Sequence, residues 1–431
     1  MRTITIDEAP RFIGEEVTLR GWLYSKRSSG KIMFLQLRDG TGVIQGVLTK
    51  PELPSLFAIA DRLPRETSII VSGTLREDRR APSGCELQLA DLTVVHEPTD
   101  PFPIELTEHT PGFLMDNRHL WMRTGRQVPI LRIRDAVFRA LRDFFHEKGF
   151  IATEAPILTG TSVEGTTTLF EVDYFGEKSY LGQSGQLYLE ATAMALGKVY
   201  WIGPVFRAEK SKTRKHLTEF WMAEAEMAYY DHADNLRLQE EMIAYVVDTV
   251  TSERKVELAQ LERDVDMLRE EVTLPLPRMD YGDAIKLLQE AGHEVAFGDD
   301  FGAPHEAFLG EHFGKPVFIE SFPTSMKPFY MKRDQSDPSH VLAADLIGPE
   351  GYGELIGGSQ RVDTLEELQA QLEESHLSSE AYEWYLDLRR YGSVPHSGFG
   401  LGVARTIAWI CGISHIRETI PFARQINRIY P

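Results

Sequence analysis

Apolar and polar residues alternate with a period of two through most of residues 1–105, the pattern of strands that each bury one face. The runs VTLRGWLY, KIMFLQLRD, GVIQGVLT, TSIIVSGTLRE and CELQLADLTVVH carry it, and turn signals at SSGK, DGTG and APSG separate them. Five short strands so spaced predict a small β-barrel. The stretch HEPTDPFPIELTEHTPG, rich in proline and polar residues, follows and predicts a linker over 106–117.

From Arg118 the texture changes. IRDAVFRALRDFFHEKGF places apolar residues at helical spacing and predicts a helix that ends at Gly149. Strand-like runs then recur between long helical segments: KVYWIGPVFRA, FWMAEAEMAYY, KPVFIESF and GYGELIGGSQRV. Their order lacks regular βαβ alternation, so residues 118–431 are expected to form an antiparallel sheet flanked by helices rather than a doubly wound one. The fold class is therefore multidomain α+β. For the N-terminal barrel the OB-fold is the commonest five-stranded candidate. Neither GxxxxGK[ST] nor GxGxxG occurs, so the two common nucleotide fingerprints do not apply.

Composition narrows the class. A chain of 431 residues with 42% apolar and 26% charged residues can bury two or three sizeable cores. No window approaches the roughly 18 uninterrupted apolar residues of a membrane helix, so no membrane partner is expected. The start, MRTITIDEAPRFIGEEV, has no basic segment leading into an apolar core, and no secretion signal is expected. Cys85 and Cys411 alone make neither a disulfide framework nor a four-ligand zinc site. A cytoplasmic, reducing setting is the plain expectation.

A net charge of −19 argues at first against a nucleic-acid partner, because phosphate affinity is built largely from Lys and Arg contacts. The distribution changes that picture. Acidic residues crowd 236–275, while basic residues cluster at Arg20, Lys26, Arg27, Lys31 and Arg38, and again at Lys210, Lys212, Arg214 and Lys215. Contacts within a Debye length of about 10 Å dominate, so the local clusters outweigh the global sum.

Candidate chemistry concentrates in two segments. In GPVFRAEKSKTRKHLTEFWMAEAEM, residues 203–227, a strand reading sets Arg207 and Glu209 on one face, with a basic loop beyond them and Phe220 on the returning strand. A guanidinium beside a carboxylate can hold a phosphate and an amine donor together. Taken alone, Arg-x-Glu is equally an ordinary cross-strand pair of little worth. The second segment, VPHSGFGLGVARTIAWICGISHIRETIPFAR, has glycines at 398, 400 and 402 that admit a close approach, and Arg405 where an amphipathic helix begins.

Together these segments resemble the class II aminoacyl-tRNA synthetases. FRAE with its basic loop and EFW resembles motif 2, GFGLGVAR resembles motif 3, and the helix running into GFIATEAPILT, with Pro156, resembles motif 1. Residues 1–105 resemble the OB-fold anticodon-binding domain of the aspartyl, asparaginyl and lysyl subgroup. GQSGQLYLEA, EFWMAEAEMAY, GYGELIGGSQR and SVPHSGFGLG resemble its asparaginyl branch.

The resemblance implies activation of asparagine with ATP as substrate, then transfer to tRNA(Asn). Arg207 would hold the α-phosphate and the substrate carboxylate, Glu209 would accept from the adenine amine, Phe220 would stack on the base and Arg405 would grip the γ-phosphate. Asp345 and Glu354 would coordinate Mg²⁺ between phosphates, although by sequence alone they are two carboxylates flanking a Pro-Gly turn. Glu164, in TSVEGTTT, and Gln186 would capture the α-amino group. Glu224 would accept from the carboxamide NH₂ and Arg361 would donate to its oxygen. Leu189 occupies the position where aspartyl relatives carry a lysine that pairs with the acid. In the barrel, Phe34, Arg27 and Gln45 match positions that read the middle anticodon base, while alternation with Ile32 and Gln36 would equally allow Phe34 a place in the core. Pairing of motif 1 helices around Pro156 implies a homodimer.

The chain departs from the family pattern at Ala404, where an acidic residue ordinarily precedes the motif 3 arginine, and at Gly182, Ala225 and Ala423. Two further readings stay open from sequence. One is a synthetase-like amidotransferase that makes asparagine, though such paralogues lack the barrel. The other is an RNA-binding module with a degenerate catalytic half.

Overall fold

The computed structural model describes residues 2–81, 83–163 and 168–431. Packing divides the chain into two compact units, Met1–Leu114 and Met115–Pro431.

In the first unit the alternating runs form β1 (Glu16–Ser29), β2 (Ile32–Arg38), β3 (Val43–Thr49), β4 (Ser68–Glu77) and β5 (Cys85–His96), with helix α1 (Pro54–Arg62) after β3. Their order is β1-β2-β3-β5-β4, and a β1–β4 pairing closes the ring. This is the five-stranded barrel expected of an OB-fold, with a short strand, Arg2–Thr3, laid parallel against β1. Inward residues such as Leu19, Met33, Leu35, Leu37 and Val71 are almost fully buried, so each strand spends one face on the core.

The second unit is built on an eight-stranded sheet. Its strands are β6 (Ile151–Ala152), β7 (Lys198–Phe206), β8 (Glu219–Ala228), β9 (Arg278–Asp280), β10 (Val317–Glu320), β11 (Ala343–Gly348), β12 (Gly353–Gln360) and β13 (His396–Gly402). The order across the sheet is β9-β10-β11-β12-β13-β8-β7-β6. The six inner strands are antiparallel, as the sequence suggested, whereas β9–β10 and β7–β6 at the two edges are parallel. Parallel neighbours need a crossover connection, and helices supply it here. One of them is α3 (Gln186–Leu196), which lies between β6 and β7 in the chain.

Helix α2 (Gln127–Glu147) buries Ile130, Ile133, Val137, Leu141, Phe144 and Phe145, the stripe that its helical spacing predicts. Phe145 stacks on Tyr200 of β7 with ring centroids 4.6 Å apart and lies 6.4 Å from Phe399 of β13, which fastens the helix to the sheet. Each such buried phenylalanine contributes on the order of 1.5–3 kcal/mol. Helix α4 (His232–Glu253) packs beside it, its first turn capped by Asp231, whose carboxylate accepts from the Asp234 amide at 2.8 Å. Helix α5 (Ala303–Phe313) packs near β11 and β12, and α6 (Glu383–Arg390) lies against α3. Helix α7 (Val403–Cys411) follows directly from β13 and buries Ile407, Trp409 and Ile410.

The glycine spacing of β13 has a steric cause. Gly398, Gly400 and Gly402 stand opposite Glu226, Glu224 and Met222 of β8. A methyl group at Gly398 would fall 2.0 Å from a Glu226 carboxylate oxygen, and one at Gly400 would fall 2.5 Å from the Met222 methyl. The long side chains of β8 therefore lie over a strand with no side chains of its own at those positions. Gly398→Ala should destabilise this unit by about 1–3 kcal/mol, the range for overpacking. Thermal unfolding checks it: melting within about one degree of the parent would show that Glu226 can move aside at little cost.

Candidate active site

Two joined cavities open over β8, β12 and β13. The larger, about 440 Å³, is lined by Gln186 at the start of α3, Glu224 and Glu226 of β8, Lys327, Asp345 of β11 and Arg361 just beyond β12. The smaller, about 90 Å³, is lined by Arg207, Glu209, Lys215, His216, Phe220, Glu354 and Arg405. Arg207, Met222, Glu354 and Gly400 border both, so the two cavities meet at a guanidinium and a carboxylate.

Alternation along β8 brings Phe220, Met222, Glu224 and Glu226 to one face, while Ala223, Ala225 and Met227 are buried on the other. At the deep end of the larger cavity Glu224 is 3% exposed, and its Oε2 accepts from the Gly185 amide at 2.8 Å. Beside it Arg361, also 3% exposed, forms a buried ion pair with Glu226, with Nε 3.2 Å from Oε1. Arg361 Nη1 donates to Ser359 Oγ at 2.7 Å, and the guanidinium lies 5.4 Å from the Tyr330 ring centroid. Burial raises the Glu226 carboxyl, neighbouring Glu190 and Glu224 add to the rise, and Arg361 opposes it. The pair holds Arg361 charged against its own burial. The arginine expected to face a side-chain oxygen thus reaches the cavity with most of its charge already answered.

Asp345 and Glu354 converge over Gly357 from neighbouring strands. Asp345 is pushed up to about 6, by burial first and by Glu354, with Lys327 opposing. Lys327 donates to Asp345 Oδ2 at 2.7 Å and lies 3.7 Å from the Phe322 ring centroid. Among the described residues no group of three or more His, Cys, Asp or Glu side chains forms a ready metal cage. Asp345 and Glu354 meet here, and Asp300 lines the same cavity.

In the smaller cavity Arg405 Nη1 donates to the Glu354 carbonyl at 2.6 Å and lies 3.9 Å from that residue's carboxylate. Glu354 therefore orients Arg405, the task for which Ala404 offers no acid. The Arg207 guanidinium lies 5.5 Å from the Phe220 ring centroid. Glu209 Oε2 lies 3.5 Å from His216 Nε2, and burial followed by Arg405 lowers the His216 pKa. Lys215 Nζ lies 3.6 Å from Glu306, a carboxylate of α5, and burial lowers its pKa.

One local expectation needs correction. Strand β7 ends at Phe206, so Arg207 and Glu209 are not strand neighbours of period two. The Arg207 amide still reaches Thr218 across the hairpin, but the next amide, of Ala208, bonds to Thr168 instead, which turns the chain out of the ladder. Both side chains nevertheless line the same cavity. Glu164 lies outside the described residues.

In the barrel unit Met33, Leu35 and Leu37 point inward, which turns Phe34 outward and half-exposed. Arg27 stands opposite it on β1 with its guanidinium 4.7 Å from the ring centroid. Gln45 is buried and donates to Glu86 at 3.1 Å. Two members of the basic cluster have other work: Arg38 is buried in an ion pair with Glu66, and Lys26 donates to the Ala60 carbonyl at 3.2 Å near the end of α1. Sequence reasoning passed over Glu226, Lys327 and His216 as site residues. Glu226 was signalled by EAE at strand spacing, whereas nothing in the sequence around Lys327 marks it.

The family model for tRNA synthetases class II (D, K and N) matches residues 111–426, and the OB-fold nucleic acid binding domain model matches residues 17–96. Among curated relatives, the asparagine–tRNA ligase of Pelotomaculum thermopropionicum is 56% identical over 432 residues, covering 100% of both chains. That of Thermus thermophilus is 53% identical over 99% of this chain and 100% of its own. The crystal structure of asparaginyl-tRNA synthetase from Pyrococcus horikoshii complexed with asparaginyl-adenylate superposes with a TM-score of 0.94 at 42% identity, covering 100% of both chains.

Arg361→Met would strand the Glu226 carboxylate in the interior, and the expected loss is about 3–5 kcal/mol of stability in this unit. Denaturant titration of Arg361→Met beside the double variant Arg361→Met/Glu226→Met checks it. The double variant should regain most of the loss; a single variant no less stable than the double would contradict the pairing.

Proposed function

The chain belongs to the class II tRNA synthetases of the D, K and N group, and from that membership we infer that it activates asparagine with ATP and transfers the asparaginyl group to tRNA(Asn), releasing AMP and pyrophosphate. The observation that carries asparagine over aspartate is the charge at the deep end of the larger cavity. The Glu224 carboxyl faces it, Arg361 is already paired with Glu226, and Leu189 is fully buried in α3 where a lysine would serve an acid. An aspartate carboxylate there would meet the Glu224 carboxyl beside an arginine already paired, which is expensive in a low-dielectric site. A carboxamide can donate to Glu224 and accept from Arg361. Sites of this kind discriminate by about 10⁴ or more.

The junction of the two cavities suits the first chemical step. The asparagine carboxylate is already a nucleophile, so attack on the α-phosphate needs positioning and charge neutralisation rather than a base. Arg207 borders both cavities and is the group proposed to hold the α-phosphate and the attacking carboxylate together. Glu209 and Phe220 would take the adenine amine and the base, Arg405 the γ-phosphate, and Gln186 with Glu164 the α-ammonium.

The Asp345–Glu354 pair fits Mg²⁺. Two hard oxygen donors converge in a setting that pushes Asp345 up to about 6, and a divalent cation would relieve that burden while phosphate oxygens filled its remaining positions. Bound there, Mg²⁺ would neutralise phosphate charge. Exposed Ile151, Ile157 and Leu158, which flank Pro156 along the chain, support a homodimer through motif 1. Among the described residues no helix is long and apolar enough to cross a membrane, and we propose a cytoplasmic enzyme. In the barrel, outward Phe34 with Arg27 and Gln45 is proposed to read the anticodon, stacking on a base being worth about 1–3 kcal/mol.

ATP–pyrophosphate exchange tests the reading. Exchange should require asparagine, and exchange driven by aspartate instead would overturn the specificity. Phe34→Ala should lower tRNA aminoacylation roughly tenfold or more while leaving exchange intact. Unchanged aminoacylation would remove Phe34 from anticodon reading.

A further inference from the structure

One helical turn beyond Gln186 on α3 sits Glu190, a carboxylate with 0% exposure in the floor beneath the larger cavity. It gathers polar partners from two other elements. From α6, Arg389 Nη2 lies 2.7 Å from Oε2, and the Tyr385 hydroxyl lies 2.7 and 2.8 Å from the two oxygens. From β13, His396 Nε2 lies 2.9 Å from Oε2. Burial works to raise the Glu190 pKa, but Arg389 and then His396 more than reverse it and hold the carboxyl well below its ordinary range. A buried charge cluster of this kind seldom stabilises a fold better than apolar packing would.

Its position suggests another use. Gln186 Nε2 donates to Glu190 Oε1 at 3.2 Å, an i to i+4 contact along α3. Gln186 also lines the cavity, and its Oε1 has no protein partner among the described residues. A primary carboxamide has two ends of nearly equal size and opposite hydrogen-bonding character, and only its surroundings decide which one points where. An ammonium ion needs the oxygen, since the NH₂ end would set donor against donor.

We propose that Glu190 is a positioning residue for amino-acid recognition: it locks the Gln186 carboxamide with nitrogen inward and oxygen toward the cavity, where that oxygen accepts from the substrate's α-ammonium. This rests on the reading of Gln186 as an α-ammonium ligand. Arg389, Tyr385 and His396 serve by keeping Glu190 ionised and immobile, so orientation at the substrate is enforced from a layer that never touches it.

Glu190→Asp keeps the charge that Arg389 requires and withdraws the carboxylate from Gln186 by about 1.5 Å, one carbon–carbon bond. In ATP–pyrophosphate exchange this variant should raise the KM for asparagine about tenfold, with kcat and the KM for ATP changed less than about twofold. Succinamic acid, which is asparagine without its α-amino group, serves as the competitive probe. Its inhibition constant should stay unchanged in Glu190→Asp, because it presents no ammonium to the misoriented amide. In a Gln186→Ala background Glu190→Asp should add nothing further. A parallel loss of asparagine and succinamic acid would mean a deformed pocket and would overturn the proposal. So would a silent Glu190→Asp beside a damaging Gln186→Ala, which leaves the α-ammonium reading standing. If Gln186→Ala itself leaves the KM for asparagine unchanged, that reading fails and the proposal with it.

Discussion

The ion pair between Arg361 and Glu226 lies where the interior of the sheet meets the larger cavity, and both partners are removed from water. Charges in such a place must be matched by opposite charge and oriented donors, or folding would neutralise them. Much of the local architecture follows from that demand. Glu226 needs room on β8, and Gly398 directly opposite on β13 leaves it. Arg361 needs a second acceptor, and Ser359 on the same strand edge supplies one. Glu190 lies near enough for its charge to be felt by both members of the pair, and it is balanced in turn by Arg389. The cavity floor is thus a set of mutually compensated charges, with the Glu224 carboxyl lining the cavity beside them.

That arrangement connects specificity to chemistry through one sheet. The deep end of the larger cavity is proposed to distinguish a neutral amide from an acid, and the larger cavity joins the smaller one at Arg207 and Glu354. A substrate seated by its side chain would then have its carboxylate delivered to the boundary where a nucleotide's α-phosphate is proposed to lie. Strands bear Glu224, Asp345 and Glu354, whereas Arg207, Glu209 and His216 stand on or beside the loop that leaves β7. Positioning is therefore proposed to fall to the sheet, and enclosure of the nucleotide to the loop.

How much of this was legible in the sequence depends on the range of the interaction. Period-two alternation revealed the barrel strands, and helical spacing revealed α2, because each reflects one buried face repeated along the chain. The motif residues Arg207, Phe220, Glu354 and Arg405 line one cavity, although no local rule brings residues nearly 200 positions apart together. Local rules failed where a tertiary partner intervened. Glu209 left the strand because the Ala208 amide found the Thr168 carbonyl, and Arg38 left the basic surface because Glu66 captured it. The pairing of Lys327 with Asp345 and the Glu190 cluster are contacts between distant segments, and spacing alone could not disclose them. Phe34 was ambiguous for a simpler reason: a barrel strand shows alternation but not which phase faces inward, and only its neighbours Met33 and Leu35 resolve it.

We propose that the deep end of the larger cavity prefers a neutral carboxamide because the Glu224 carboxyl faces it and Arg361 is already paired. Calorimetric binding of two non-reactive sulfamoyl analogues of the adenylates, one asparaginyl and one aspartyl, measures that preference without any contribution from turnover. The asparaginyl analogue should bind at least about 10³-fold more tightly, with Glu224→Gln narrowing the gap. Equal affinities, or a preference for the aspartyl analogue, would contradict it.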